Sequence, residues 1–328
     1  VDFTNEIVAA VTKRQTFGRT AQSKDTLHVG FGFDAAYVRP MGVSLTSIVV
    51  NNPNIHIHTH LFASSLSDGD LLKFESLVNK YLNLEISLYH VDDKIINMLP
   101  VKQYLPLATY FRLMMPIILP DIDRLLYLDS DILCLGSISE ILEIDMESKT
   151  ALVISDINRT AYKRIEALAL KSEKYFNAGI MLIDCKRWNE KKFSEKALSL
   201  LCNSPDRFLY LDQDVLNLIL EDDSKYIDKE WNYIRGEYAL PSNIKLLHCT
   251  AHPKPWKILC NSKEQSLFLR YETLSPWRGT PLEYPTTYRE AKKYSKQLFK
   301  QKFFKDSLFW YKNYLIMKIR SKMYRHKS

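Results

Sequence analysis

The sequence predicts an α/β protein with a parallel or mixed sheet covered by helices, followed by a small, helical and basic C-terminal segment. Two observations carry that prediction. Apolar runs rich in β-branched and aromatic residues alternate with helix-period segments over most of the 328 residues, the pattern of strands joined by crossover helices. From about residue 262 the pattern becomes aromatic, basic and helical. A chain of this length holds one large α/β domain, or one domain and an appendage, with ample material for a core.

The elements follow in order. LHVGFGF (27–33) reads as a strand, GVSLTSIVVNN (42–52) as a helix, IHIHTHLFA (55–63) as a strand, DGDLLKFESLVNKYL (68–82) as a helix and LEISLYHV (84–91) as a strand. PLATYFRLMMPIIL (106–119) predicts a helix up to Pro116, where the ring removes a donor, and RLLYLD (124–129) a strand. ALVISD (151–156) and FNAGIMLID (176–184) are further strands, the second leading into a long helix around 186–203. DQDVLNLIL (212–220) reads as a helix and NIKLLHC (243–249) as a short strand. The organisation expected is an N-terminal extension over 1–27, a main domain over 28–260 and the C-terminal segment over 261–328.

Composition narrows the classes. Only nine glycines are present, and neither GxGxxG nor GxxxxGK[ST] occurs, which demotes dinucleotide-binding dehydrogenases and P-loop enzymes. The five cysteines (134, 185, 202, 249 and 260) are odd in number, dispersed and free of any CxxC, so they read as free thiols of a reducing compartment. The opening VDFTNEIVAAVTKRQ has no apolar signal core, and no apolar run approaches the roughly 18 residues of a spanning helix. A cytosolic protein is the expectation. The net charge of +7 is unevenly placed: residues 291–328 carry twelve Lys/Arg against Asp306 alone, a balance of +11, which leaves the rest of the chain at −4.

Four Asp-x-Asp triplets occur: Asp68/Asp70, Asp121/Asp123, Asp129/Asp131 and Asp212/Asp214. The first suits a helix N-terminus and the second a turn after proline. Asp129/Asp131 alone ends a strongly apolar strand, where ligands of such sheets gather. Residues two apart in extended chain share a face, so the pair suits either a solvated turn or one hard cation. His248, directly after a short strand, is either a core histidine or a third ligand. Two carboxylates and an imidazole suit Mn²⁺ or Mg²⁺ better than structural Zn²⁺.

The ordered set FGFDAAY, ATYFRL, LYLDSDIL, FNAGIMLID, LDQDVLN and H-x5-KPW, running from about residue 28 to 257, resembles the retaining glycosyltransferases of family 8. It most resembles the bacterial subgroup that adds hexoses to the lipopolysaccharide outer core, and SPWRGTPL (275–282) is similar to that subgroup too. The resemblance implies a single Rossmann-like nucleotide-sugar-binding domain of GT-A type with a mixed sheet. It implies that Asp129, Asp131 and His248 hold the metal, with Asp129 also near the ribose. Gly32, Asp34 and Tyr37 match the loop that holds uracil and ribose, and Arg112 an arginine near the sugar and diphosphate. Asn177 and Ala178 match residues beside the donor sugar, Lys254 the lysine that grips the diphosphate, and Asp156 a carboxylate lining the sugar pocket. Gln213 would lie below the anomeric carbon, with Asp212 positioning a sugar hydroxyl. Read without the resemblance, Asp34 equally starts a turn, Arg112 equally serves an interhelical ion pair, Asn177 equally satisfies loop backbone, and the acids of 212–214 equally cap a helix. Ala251 replaces a glycine common in the family, and His252 is not assigned as a ligand.

The implied chemistry is a leaving-group mechanism. A cation with Lys254 and Arg112 stabilises the charge that develops on UDP. An amide is a weak nucleophile, so Gln213 is assigned electrostatic support of an oxocarbenium-like transition state, and a UDP phosphate oxygen takes the acceptor proton. In the C-terminal segment, Phe304, Leu308, Tyr311, Leu315 and Ile319 follow helical spacing among lysines 300, 305, 312 and 318. Such a helix suits an anionic leaflet, a nucleic acid, or packing on its own domain. The acidic main body disfavours nucleic acid.

The expectation is a metal-dependent hexosyltransferase, peripheral on the cytoplasmic face of the inner membrane, taking a UDP-hexose donor and a lipopolysaccharide core acceptor. The alternatives are a family relative acting on another glycan or a protein, and a non-catalytic protein that keeps the fold.

Overall fold

A computed structural model describes residues 2–19, 26–92, 99–100, 107–234 and 241–325. The chain forms two compact units: Val1–Thr250 with Tyr271–Arg278, and Ala251–Arg270 with Gly279–Ser328.

In the first unit the strands are β1 (Val11–Gly18), β2 (Thr26–Phe33), β3 (His56–Ala63), β4 (Leu84–Val91), β5 (Arg124–Leu128), β6 (Ile132–Cys134), β7 (Ala151–Ser155), β8 (Phe176–Asp184), β9 (Ser224–Tyr226), β10 (Tyr233–Ile234) and β11 (Leu246–His248). Its helices are α1 (Phe3–Ala10), α2 (Val38–Asn51), α3 (Asp68–Lys80), α4 (Phe111–Ile118), α5 (Asn158–Leu168), α6 (Cys185–Glu190), α7 (Phe193–Asn203) and α8 (Asp212–Ile219). An eight-stranded sheet runs β1-β4-β3-β2-β5-β8-β7-β9, and a three-stranded one runs β10-β11-β6. Neighbours from β4 to β5 are parallel, β8 is antiparallel to β5 and β7, and β1 closes one edge antiparallel to β4. The sheet is therefore mixed, as expected.

Period-two alternation divides the apolar residues between two layers. On one face Leu27, Val29, Phe31, Ile57, Leu61, Ile86 and Leu88 meet Met41, Leu45 and Ile48 of α2 and Phe74 and Leu77 of α3. On the other, Phe62, Leu125, Tyr127, Met181 and Ile183 meet Met115 of α4, Trp188 of α6 and Leu216 of α8. Gly42 lets α2 close on Trp277: a Cβ there would stand 2.1 Å from the indole.

The first residues form α1 and edge strand β1. Two features differ from the sequence reading. The helix of 111–118 runs two residues past Pro116, since the missing N–H falls near its C-terminal end. The long helix around 186–203 is broken into α6 and α7 at Lys192, whose backbone is left-handed (φ +53°). Ser67 and Asp70 form a capping box at the start of α3, which accounts for the first Asp-x-Asp triplet.

In the second unit, α9 (Lys263–Leu274, its last turn belonging to the first unit) precedes α10 (Tyr288–Lys300) and α11 (Phe304–Arg325). Leu259, Tyr294 and Leu298 pack with Ile258 and Trp310, and Ser295 and Ser307 exchange hydrogen bonds between α10 and α11.

Candidate active site

The chain leaves the carboxyl end of β5 at Asp129 and is clamped there from two sides. Asp129 N donates to Gly179 O at 2.8 Å and Cys249 N donates to Asp131 O at 3.0 Å, so β8 and β11 fix the backbone that bears both carboxylates. His248, the last residue of β11, then brings Nε2 to 3.2 Å from Asp131 Oδ1 and 3.7 Å from Asp129 Oδ2. The other Asp129 oxygen is spoken for: Oδ1 accepts from Arg112 Nη2 at 2.9 Å and from Tyr127 Oη at 2.8 Å. Arg112 and Tyr127 therefore orient the carboxylate so that Oδ2 turns toward the imidazole.

Hydrogen-bond directions fix the imidazole's tautomer. The Gly179 N–H donates to Asn177 Oδ1 (3.1 Å), so that oxygen is an acceptor and Asn232 Nδ2 must be the donor to it (3.0 Å). Asn232 Oδ1 then accepts from His248 Nδ1 at 3.1 Å, which leaves Nε2 as the nitrogen facing the carboxylates and, in the neutral ring, the one with a lone pair for a cation. Two carboxylates and an imidazole lone pair, with ligand atoms within 4.8 Å of one another, are the donor set of an oxygen-preferring divalent ion. A Cβ on Gly179 would lie 2.3 Å from His248 Cε1 and 2.8 Å from Asp129 Oδ2, so only glycine leaves this cradle open. The residues fit Mn²⁺ or Mg²⁺.

A second chain of hydrogen bonds holds Gln213. Its Oε1 accepts from Ala178 N at 3.1 Å and Asn177 Nδ2 at 3.2 Å, so its Nε2 is the donor to Asp156 Oδ2 at 3.0 Å and to Tyr175 Oη at 3.1 Å. Tyr175 in turn donates to Asp214 Oδ1 at 2.7 Å. The fully buried Asp214 carboxylate is held by a bidentate Arg164 fork (3.0 and 2.7 Å) and by Tyr210 N at 2.9 Å. The strand β8 makes room for this: its pairing with β7 jumps from Val153↔Met181 to Ile154↔Asn177, a bulge that re-aims residues 177–179.

Arg112 links the two chains. Its guanidinium donates to Ala178 O and to Asp129, and its Nε lies 2.9 Å from Asp212 Oδ2. That last pair is coulombic rather than aligned, because Asp212 Oδ2 is buried without a hydrogen-bond partner. Burial pushes the Asp212 carboxyl up to about 6, against the lowering pull of Arg112, and burial likewise raises Asp156. Leu211, just before Asp212, adopts φ +41°, a strained backbone of the kind found at functional sites.

Of the residues singled out in the sequence, Asp129, Asp131, His248, Arg112, Asn177, Ala178, Asp156, Asp212 and Gln213 form one connected set. Gly32, next to last in β2, has its α-carbon packed under Phe111, where a Cβ would stand at 2.8 Å. Asp34 caps the turn that follows, accepting from Ala36 N at 3.0 Å, and Tyr37 lies half-buried beside it. Lys254 belongs to the other unit and is buried there. Sequence reasoning missed Gly179, Asn232, Tyr127, Tyr175 and the Arg164–Asp214 pair. Gly179 and Tyr127 stand inside quoted motifs, whereas nothing in the local pattern around Asn232 marks it.

The family profile described as "Glycosyl transferase family 8" matches residues 28–260, and "Glycosyl transferase family 8 C-terminal" matches 264–318. The chain is 34% identical over 253 residues to the lipopolysaccharide 1,2-glucosyltransferase of Escherichia coli K12, covering 71% of this chain and 74% of that protein. It is 30% identical over 315 residues to the lipopolysaccharide 1,3-galactosyltransferase of Salmonella typhimurium LT2, covering 90% and 92%. Among solved structures, the galactosyltransferase LgtC in complex with donor and acceptor sugar analogs matches with a TM-score of 0.68 at 19% identity, over 80% of this chain and 99% of that one. An active-site mutant of LgtC, glutamine replaced by glutamate, matches equally. The LgtC likeness shows the GT-A fold, and with both family profiles in register along the sequence, this chain belongs to glycosyl transferase family 8 and is a glycosyltransferase.

Proposed function

We propose that this glycosyltransferase moves glucose or galactose, with retention, from a UDP-sugar to the lipopolysaccharide core, using a divalent cation. The observation that carries the reading is the Asp129, Asp131 and His248 set, with its open cradle at Gly179, standing beside the Gln213 amide. The names of the Escherichia and Salmonella relatives support the acceptor and the two donor sugars. When bound, the cation supplies Lewis-acid stabilisation of the diphosphate as it leaves.

The chain's own residues do the rest. Arg112 holds Asp129 in position and offers positive charge beside the leaving group, and Lys254 is assigned to the diphosphate. Gln213 has both ends of its amide held by Ala178, Asn177, Asp156 and Tyr175, so its dipole costs no reorganisation as charge develops on the sugar. The active-site glutamine of LgtC supports this assignment. Asp212 Oδ2, ion-paired with Arg112 but without an aligned hydrogen-bond donor, is suited to accept a sugar hydroxyl. The anomeric C–O bond to UDP breaks as the acceptor oxygen bonds to the same face, and the acceptor proton passes to a phosphate oxygen of UDP. Gly32, Asp34 and Tyr37 are assigned to uracil and ribose.

The C-terminal helix supports a location on the cytoplasmic face of the inner membrane. Phe304, Leu308, Tyr311, Leu315 and Ile319 of α11 are all exposed, and with Phe299 and Lys296 of α10 some of them line a groove of about 540 Å³. No described helix is long and apolar enough to cross a membrane. Each Lys or Arg near an anionic leaflet contributes about 1 kcal/mol.

The test is UDP release from UDP-glucose and UDP-galactose with lipopolysaccharide core acceptor, in Mn²⁺, Mg²⁺ or EDTA, for the wild type and Asp131→Ala. Metal-dependent turnover of one donor, lost in the variant, is the expected result. No turnover and no UDP binding with Mn²⁺ present would refute the reading. Deleting residues 291–328 is expected to spare transfer to a soluble acceptor and to abolish binding to vesicles containing anionic lipid.

A further inference from the structure

Away from Asp129, three histidines that the transferase reading leaves unused converge on the neighbouring strands β2 and β3. His28 lies directly opposite His58 in the parallel pairing, and the period of two puts His60 on the same face. The ring centroids of His28 and His58 are 5.3 Å apart, those of His28 and His60 5.3 Å, and those of His58 and His60 4.3 Å. One ligand-competent nitrogen from each lies within 4.8 Å of the others, and His28 Nδ1 stands 3.0 Å from His60 Nε2. Tetrahedral zinc with bonds of about 2.0–2.1 Å to nitrogen needs ligands roughly 3.3 Å apart. One edge of that tetrahedron is already formed, and closing the others needs a shift of about an ångström.

The surroundings are those of a ligand set. His60 Nδ1 lies 3.3 Å from Tyr89 Oη and His58 Nε2 2.8 Å from Ser87 Oγ, polar partners of the kind that orient metal-bound imidazoles. Glu85, opposite His58 on β4, brings its two oxygens to 3.6 Å from His58 Nε2 and 3.6 Å from His56 Nε2, and the latter nitrogen is buried without a hydrogen-bond partner. The opposite face of the same strands is filled by Leu27, Val29, Ile57 and Ile86, and burying imidazoles instead carries a desolvation cost.

We propose that His28, His58 and His60 form a second metal site, selective for zinc or a similar imidazole-preferring ion and separate from the carboxylate-rich site at Asp129. Imidazole favours zinc, copper and nickel, whereas carboxylate oxygen favours manganese and magnesium, so the two sites sort their ions by ligand chemistry. Bound there, the ion ties β2 to β3, with Glu85 as a nearby counter-charge. Burial, followed by repulsion among the rings, lowers the proton affinity of His28 and His60, so ligation at neutral pH displaces no protons from these two.

Zinc titration of metal-free protein tests the site, with Asp131→Ala as the background so that the carboxylate site is impaired. The expected result is one zinc per chain, with X-ray absorption showing three imidazole nitrogens at about 2.0–2.1 Å. Adding His58→Gln or His28→Gln is expected to weaken zinc binding about tenfold or more. Either double variant folded by circular dichroism in chelator suffices, and the absorption spectrum needs no histidine variant at all. Absence of micromolar zinc binding in the Asp131→Ala protein, a spectrum dominated by oxygen ligands, or zinc affinity unchanged in a folded histidine variant would overturn the proposal.

Discussion

Gly179→Ala adds one methyl group, and the structure says where it goes. The new carbon would stand 2.3 Å from His248 Cε1, 2.8 Å from Asp129 Oδ2 and 3.0 Å from Asn177 Oδ1. Carbon pairs rest at about 3.5–4.0 Å, so the imidazole must retreat by more than an ångström or the β8 backbone must shift as far. Neither group moves freely, because His248 is tied to Asn232 and the Gly179 carbonyl to Asp129 N. A misplacement of about 1 Å costs on the order of 100-fold in rate, or roughly 2.7 kcal/mol in the barrier. The cost to global stability is that of overpacking, about 1–3 kcal/mol. Steady-state UDP release and Mn²⁺ titration by electron paramagnetic resonance measure the first, and urea denaturation the second. Gly42→Ala is the control: its Cβ would meet Trp277 at 2.1 Å, so it should lose stability while the folded fraction keeps wild-type kcat/KM and metal affinity. Wild-type turnover and metal affinity in Gly179→Ala, or an equal catalytic loss in folded Gly42→Ala, would refute the reasoning.

Arg164→Met strands the fully buried Asp214 carboxylate and is expected to cost about 3–5 kcal/mol in urea denaturation, far more than a surface arginine. Asn232→Ala removes the acceptor for His248 Nδ1 and is expected to weaken Mn²⁺ binding about 10- to 100-fold by titration, with little change in fold. His28 has its pKa lowered from 6.5 to about 4, chiefly by burial. The unfolded chain therefore takes up a proton first, so stability is full above pH 6.5 and falls as pH drops toward 4. Partial exposure discounts the ceiling to about 2 kcal/mol, readable as a urea midpoint that declines between pH 7.5 and 5 in metal-free buffer and declines less in His28→Gln.

What the sequence revealed follows from how local each signal is. Strands β2 to β5 and β8 were legible because each buries a continuous or alternating apolar run, and Asp129 was legible because it ends one. The break between α6 and α7 was not, because it turns on a left-handed Lys192, a conformation that no residue type there announces. Proline at 116 suggested an earlier helix end than the chain adopts, since a proline in the last turn sacrifices only one hydrogen bond. Asn232 stayed hidden because its role exists only after β10 has been laid beside β11.

The same logic explains why the site's residue types are less informative than their hydrogen-bond directions. Asn177, Asn232 and Gln213 are amides that turn either way in isolation, yet the backbone N–H groups of Gly179 and Ala178 set each in one orientation. From Gly179 the sequence of donors and acceptors runs through Asn177 and Asn232 to His248, and ends with Nε2 facing two carboxylates. From Ala178 it runs through Gln213 and Tyr175 to Asp214, and ends on the Arg164 fork. Two adjacent backbone amides, exposed by the bulge in β8, thus orient both the imidazole assigned to the metal and the amide assigned to the sugar. A substitution that straightens the bulge is therefore expected to disturb both at once, whereas loss of Tyr175 touches the second directly and loss of Asn232 the first, reaching Gln213 only through Asn177.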